Sequence, residues 1–186
     1  MPLALKRFAS LRFRFTDFFV DHGETSGRVD NVPKEQATFD AIEGMAGDVL
    51  EPLYDFNRGQ LKITYGFCSP ARARLVRAWD TCQSGDQHVG HELDRDWAPI
   101  CKRLGFAVDI ATPSSVATAI HVVENLVWDR IYFYGDDRPL HISVPPVNRK
   151  AVHIAVDMRN FPQVRPPQRV RGNPADWFRR VGAVTW

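Results

Sequence analysis

No apolar run in this chain approaches the roughly eighteen residues that a membrane-spanning helix requires, so contact with a membrane is not expected. Cysteine is scarce. Cys68, Cys82 and Cys101 are odd in number and show no CxxC spacing, which argues against a disulfide framework and a cysteine-rich zinc knuckle and leaves buried free thiols as the expectation. The stretch from Met1 to Phe19 lacks the shape of a secretion signal, because Lys6, Arg7, Arg12, Arg14 and Asp17 interrupt its apolar positions; this predicts a cytoplasmic protein. No internal repeat is visible.

What the chain does have is a globular composition, 44% hydrophobic and 25% charged over 186 residues, enough for one hydrophobic core and one domain spanning 1–186. Its net charge of +2 is unevenly placed. Both ends are basic around an acidic middle, and the Pro- and Arg-rich segment 159–186 carries six arginines against Asp176 alone. Arg165, Arg169, Arg171, Arg179 and Arg180 are placed to meet a phosphate-bearing or nucleic-acid partner, or to form an ordinary solvated surface.

Hydrophobic spacing outlines an α+β chain. Phe13 to Phe19 reads as a short docking segment. Phe39, Ile42, Met45, Ala46, Val49, Leu50 and Leu53 recur at helical intervals after Pro33, with Pro52 placed to kink or close that helix. Leu61 to Phe67 alternates as a strand and turns at Cys68-Ser-Pro70; a helix from Ala71 to about Cys82 follows, carrying Leu75, Val76 and Trp79. Residues 83–103 are polar and irregular. Leu104 to Ile110 reads as a strand, and Val116 to Leu126 as a helix capped by Ser114 or Ser115. Asp129 to Tyr134, Leu140 to Val144 and Val152 to Val156 read as strands, the first two joined through the turn Gly135 to Pro139 as an antiparallel pair. Pro162 to Pro174 looks extended.

Zinc accepts imidazole nitrogen and carboxylate oxygen, and a catalytic site commonly takes three protein ligands. His88 in the polar loop, Asp109 closing an apolar strand and His141 within an alternating strand make such a set. An aspartate ending Gly-Phe-Ala-Val is costly to bury without a cation or donors, and an ordinary ion pair with arginine would serve as well as a metal.

Several ordered blocks resemble the zinc D-alanyl-D-alanine peptidase family that shares its fold with the Hedgehog signalling domain, most nearly its small M15-type branch. They are Phe15-Thr-Asp-Phe-Phe, Asp30-Asn-Val-Pro33, Asp48-Val-Leu-Glu-Pro-Leu53, Ile63-Thr-Tyr-Gly-Phe-Cys-Ser-Pro70, Asp86-Gln-His88, Gly105-Phe-Ala-Val-Asp-Ile110, Trp128-Asp-Arg-Ile131 and Leu140-His-Ile-Ser143. The resemblance implies a Hedgehog/DD-peptidase-like fold, an antiparallel sheet packed against helices. It also implies a zinc-dependent hydrolase cleaving an amide bond in a small peptide or peptidoglycan-like substrate. In that family a Ser-x-His-x-x-Gly-x-Ala-x-Asp pattern and a later strand histidine hold the zinc. Gly105, Ala107 and Asp109 match its second half and His141 the later histidine, whereas Lys102 stands where the first histidine would be. His88 is taken as the missing ligand, as though Val89 to Arg103 were inserted; His91 is the reserve, and a rival register would make Asp94 the ligand.

Two departures bear on catalysis. The family places an arginine before Ser-Pro to bind the substrate's carbonyl, and here Cys68 takes its place, with Arg72 or Arg74 as substitutes. The family's general-base glutamate before the last histidine is also missing, which leaves Glu92, Asp136 and Asp137 as candidates for that role; Asp136 and Asp137 read equally well as hairpin-turn residues. The alternative function is a zinc-binding domain of the same fold without peptidase activity, serving a phosphate-bearing or nucleic-acid partner.

Overall fold

Phe39, Ile42 and Met45 put one apolar stripe on the helix α2 (Gln36–Met45), and Ala46, Val49, Leu50 and Leu53 prolong it without a break. The chain stays helical through Pro52 because its pitch changes first. Ala46–Leu50 is a π-helical segment in which the Glu51 N–H reaches back to the Ala46 carbonyl, and α3 (Glu51–Phe56) starts afresh with the proline in its first turn. There a missing N–H costs nothing, so Pro52 neither kinks nor closes the helix.

The computed structural model describes residues 8–19, 29–75, 86–160 and 168–183, without the side chains of 73–75. Phe13 to Phe19 contains the short helix α1 (Phe15–Phe18), which buries Phe15 and Phe18. The strand β1 (Lys62–Tyr65) follows α3, and α4 (Pro70–Leu75) is the described part of the helix expected to reach Cys82. Val76, Trp79 and Cys82 lie outside the described residues. Then come β2 (Phe106–Ala111), α5 (Ser115–Asn125), β3 (Arg130–Phe133), β4 (Leu140–Val144), β5 (Ile154–Asp157), β6 (Gln168–Arg169) and α6 (Pro174–Ala183). α5 is capped by Ser114, whose hydroxyl accepts from the Ala117 N–H.

The strands form one six-stranded sheet in the order β1-β2-β4-β3-β5-β6. The expected antiparallel sheet needs one correction, since β5 runs parallel to β3. The chain leaving β4 crosses to the far side of β3 before pairing, and the Pro145-Pro146 pair sits at the start of that crossing. β3 and β4 form the expected hairpin, closed by a turn in which Arg138 N–H donates to the Gly135 carbonyl at 3.3 Å.

One face of the sheet carries Val108, Ile110, Ile131, Phe133, Leu140 and Ile142, all buried in the core with the stripes of α2 and α5. α6 adds Phe178 and Val181 and packs on α5. It occupies a stretch that starts at the end of the expected extended segment. Its signal is Asn173-Pro174: Asn173 accepts from the Ala175 N–H at 2.9 Å, and proline takes the first helical position. Cys68 and Cys101 are buried, as expected. Among the described residues no helix is long and apolar enough to cross a membrane.

Candidate metal centre

Sheet pairing brings two of the three expected ligands together. Asp109 of β2 lies opposite His141 of β4, Tyr132 of β3 lies opposite His141 from the other side, and Tyr65 of β1 lies opposite Asp109. Residues directly opposite each other share a face, so these four form a polar row on the face turned away from the core. Tyr65 reaches the row only through a bulge. The pairing shifts between Ile63 and Tyr65, leaving Thr64 as the extra residue, and its hydroxyl donates to the Asp109 carbonyl at 3.0 Å.

His88 comes from a single 3-10 turn, Gln87–Val89, held at three points. Asp86 accepts from the His88 N–H at 2.9 Å, and the Cys68 N–H donates to the His88 carbonyl at 3.0 Å. The ring Nδ1 donates to the Gly66 carbonyl at 2.8 Å, which leaves Nε2 as the ligand atom. Gly66 is required there, since a Cβ would stand 2.4 Å from the Phe18 carbonyl oxygen.

The resulting cluster is tight. His141 Nδ1 lies 2.8 Å from Asp109 Oδ1 and 3.2 Å from His88 Nε2, and His88 Nε2 lies 3.4 Å from the same Asp109 oxygen. Tetrahedral zinc with bonds of about 2.0–2.2 Å sets its ligand atoms about 3.3–3.6 Å apart, so the donor set fits a small divalent cation with little movement. Three His, His and Asp donors could thus hold a metal ion. The imidazoles are walled by aromatic rings: Tyr132 stacks on His141 at 4.6 Å, and Tyr65 meets His88 edge-on at 4.5 Å. Solvent reaches the cluster through Asp109, whose side chain is 26% exposed against 6% for His88.

The electrostatics follow from this crowding. Burial opposes charge on His88, but the carboxylates of Asp86 and Asp109 outweigh it and raise the imidazole to about 9. Burial likewise opposes ionisation of Asp109, yet His88 and His141 hold it well below the usual carboxylate range. Burial pushes Asp86 up against the pull of His88. Tyr134 is raised by burial and by the charge of Asp109, which keeps its phenol protonated. In the metal-free form the cluster is an imidazolium–carboxylate pair, whose proton a metal would replace.

The other expected residues are placed as follows. Arg72 is buried, with its guanidinium 5.1 Å from the centroid of the Tyr65 ring that borders His88, whereas the Arg74 side chain lies outside the described residues. Glu92 is not turned to the triad. Its carboxylate accepts from the Lys34 and Glu35 N–H groups and from the Thr38 hydroxyl, closing the N-terminus of α2. Asp136 does the same for α5, accepting at 2.8 Å from both the Ser114 hydroxyl and the Val116 N–H. Asp137 is exposed in the hairpin turn. Of the three carboxylates expected as general-base candidates, Glu92 and Asp136 are thus engaged at helix ends.

His91 is no ligand either, since its Nε2 accepts from the Gly105 N–H at 3.1 Å. Asp94 is exposed and accepts from the N–H groups of Asp96 and Ala98, which removes the rival register. Asp86, Tyr65 and Tyr132 were not singled out from the sequence as site residues. Tyr132 could have been found, because strand alternation with His141 places it on the polar face.

Comparison of the chain with family models, curated proteins and solved structures finds no match.

Proposed function

We propose that the chain is a divergent relative of the M15-type zinc D-alanyl-D-alanine peptidases, with their Hedgehog-type fold, and hydrolyses an amide bond in a small peptide or peptidoglycan-like substrate. The observation that carries this reading is the convergence of His88 Nε2, Asp109 Oδ1 and His141 Nδ1 at separations of 2.8, 3.2 and 3.4 Å on the polar sheet face. A zinc ion held by these atoms supplies Lewis acidity, polarising a carbonyl and acidifying water. The chain's own residues do the rest. Gly66 and Asp86 fix the orientation of His88, Tyr65 and Tyr132 shield the imidazoles, and Arg72 meets negative charge developing on the substrate carbonyl.

A second reading has one observation in its favour. Glu92 and Asp136 serve helix ends, so a metal-binding domain without peptidase activity, serving a phosphate-bearing or nucleic-acid partner, is consistent with the placement of the acids. Of the arginines assigned to that partner, Arg179 is already paired with Glu124 and Asp176, while Arg169, Arg171 and Arg180 are exposed.

Metal analysis of purified protein and of His88→Ala, Asp109→Ala and His141→Ala tests the centre, with loss of zinc expected in all three. Hydrolysis of D-Ala-D-Ala and of stem peptides tests the activity. Zinc-loaded protein inactive on that panel, but binding nucleic acid with a steep salt dependence, would decide for the second reading.

A further inference from the structure

The outer side of α2 borders a groove that the fold leaves unfilled. Ala37, Ala41 and Gly44 line one wall at helical spacing, and Pro145, Pro146 and Val147, on the chain leaving β4, line the other. The space between them is about 690 Å³, within the roughly 300–1,000 Å³ of ligand-sized clefts. A Cβ added at Gly44 would meet nothing within 4 Å. Val127 and Val147 border the groove and are 55% and 102% exposed, so apolar surface is left uncovered there. The groove is separate from the metal centre. Val144, which also lines it, points to the core side of the sheet with Leu140 and Ile142, whereas His141 points to the opposite face.

Two kinds of polar group limit what can fill this space. His91 lines it, and burial favours the neutral form of the ring. Its Nε2 accepts from the Gly105 N–H at 3.1 Å, which places the ring proton on Nδ1, and that N–H has no acceptor among the described residues. A carbonyl oxygen would complete it. The second kind is charge. From Gln36 to Phe56 the chain carries Asp40, Glu43, Asp48, Glu51 and Asp55 without one Lys or Arg. Glu51 and Asp55 are met by Arg12 from the basic lead, whereas Asp40 and Asp48 are exposed on the groove and have no ion pair among the described residues. Asp40 accepts from the neutral Gln36 amide at 2.7 Å, which leaves its charge uncompensated. Asp40 and Asp48 stand about 12 Å apart along the helix, a distance that an extended chain covers in about four residues. Arg149 on the facing wall donates to the Lys102 carbonyl at 3.0 Å, so the groove sets two carboxylates against one guanidinium.

We propose that the groove docks an extended peptide segment of a partner protein, apolar in its anchoring side chains and carrying Lys or Arg to meet Asp40 and Asp48, with a backbone carbonyl accepting from His91. A peptide of that composition joins the three features the groove calls for: apolar bulk, a carbonyl acceptor and a cation. Arg12 against Glu51 and Asp55 is the same contact made within the chain one to two turns further on. The docking site does not depend on the metal-centre reading.

The test selects phage-displayed random heptapeptides on the full chain in the presence of a chelator, which keeps the metal centre out of the selection. Enriched sequences should combine apolar residues with one or two Lys or Arg. In synthetic copies, citrulline or norleucine in place of the cation should weaken binding about threefold or more at low salt, and the difference should shrink as salt rises. Asp40→Asn with Asp48→Asn should abolish that difference and leave the apolar contribution. Gly44→Leu should abolish binding altogether with thermal unfolding unimpaired; Ala37→Trp, at an exposed position of the same wall, serves if the leucine variant does not fold. No enrichment, a consensus without a cation, or binding that survives the filled groove overturns the proposal. A dimer of the unaltered chain that Gly44→Leu converts to monomer would also overturn it, by giving the groove to a second copy.

Discussion

Replacing Glu92 separates a structural carboxylate from a catalytic one. The side chain is 2% exposed, and its Oε1 accepts from the Lys34 N–H at 3.1 Å, the Glu35 N–H at 3.2 Å and the Thr38 hydroxyl at 3.0 Å. Glu92→Ala removes the acceptor for two helix-terminal donors and a fully buried hydroxyl. Bonds to a charged acceptor contribute about 1.5–3 kcal/mol each, but sharing one oxygen and partial rehydration of the exposed Lys34 N–H reduce the total to about 2–3 kcal/mol. For a chain of this length that lowers Tm by about 4–12 °C. Glu92→Gln keeps an amide oxygen for the same three donors. It also relieves the burial that pushes the carboxyl above its ordinary value, so its loss should be near 1 kcal/mol. Thermal unfolding with metal content as a control reads both variants. If alanine and glutamine abolish hydrolysis equally while Tm stays unchanged, the carboxylate does chemistry and the helix-end reasoning is wrong.

Further expectations concern the site's supports. Asp86→Asn should weaken zinc binding about 10–100-fold by loosening His88 without unfolding the sheet; unchanged affinity in a competition titration with a chromophoric chelator would show that Asp86 does not position the ring. Gly66→Ala should lower both stability and zinc affinity, since the added methyl would meet the Phe18 backbone and displace the carbonyl that holds His88; normal values of both would refute that clash. Zinc affinity should climb with pH. Below about 9 the metal must displace a proton from His88, so apparent affinity rises about tenfold per pH unit and then levels off, and a flat profile through neutrality would contradict a protonated His88. In the metal-free protein the His88 value is raised, so its pairing contributes fully below the ordinary 6.5 of imidazole and is lost as pH rises through about 9, which denaturant titration across that window can follow.

Much of this architecture was legible because apolar periodicity survives in the chain. The stripe from Phe39 to Leu53, the strand ending at Asp109 and the alternation around His141 are local patterns, and the elements they mark lie within a few residues of where they were expected. His88, Asp109 and His141 were picked out in the sequence as a candidate ligand set, and the structure brings their ligand atoms within 4.8 Å of one another, so that they could hold a metal ion. What was not legible depends on distant partners. The sequence around Glu92 does not show that it faces the N-terminus of α2, because the two are 57 residues apart where they bond. The parallel pairing of β5 depends on a crossing over β3, and the bulge at Thr64 depends on where Asp109 falls in the neighbouring strand. Two local signals were passed over: Asn173-Pro174, which opens α6, and Tyr132, which shares a face with His141.

The triad's contacts are long in sequence: His141 meets Asp109 across 32 residues and His88 across 53. An ion gripped by all three would act as a removable cross-link between remote parts of the polypeptide, present only once the central strands have found their register. Capture of the ion then becomes a reporter of completed folding, and its binding free energy is added to the native state alone. A fragment ending before β4 would lack that cross-link, so chelators should erode the resistance of the whole protein to unfolding and leave such a fragment untouched.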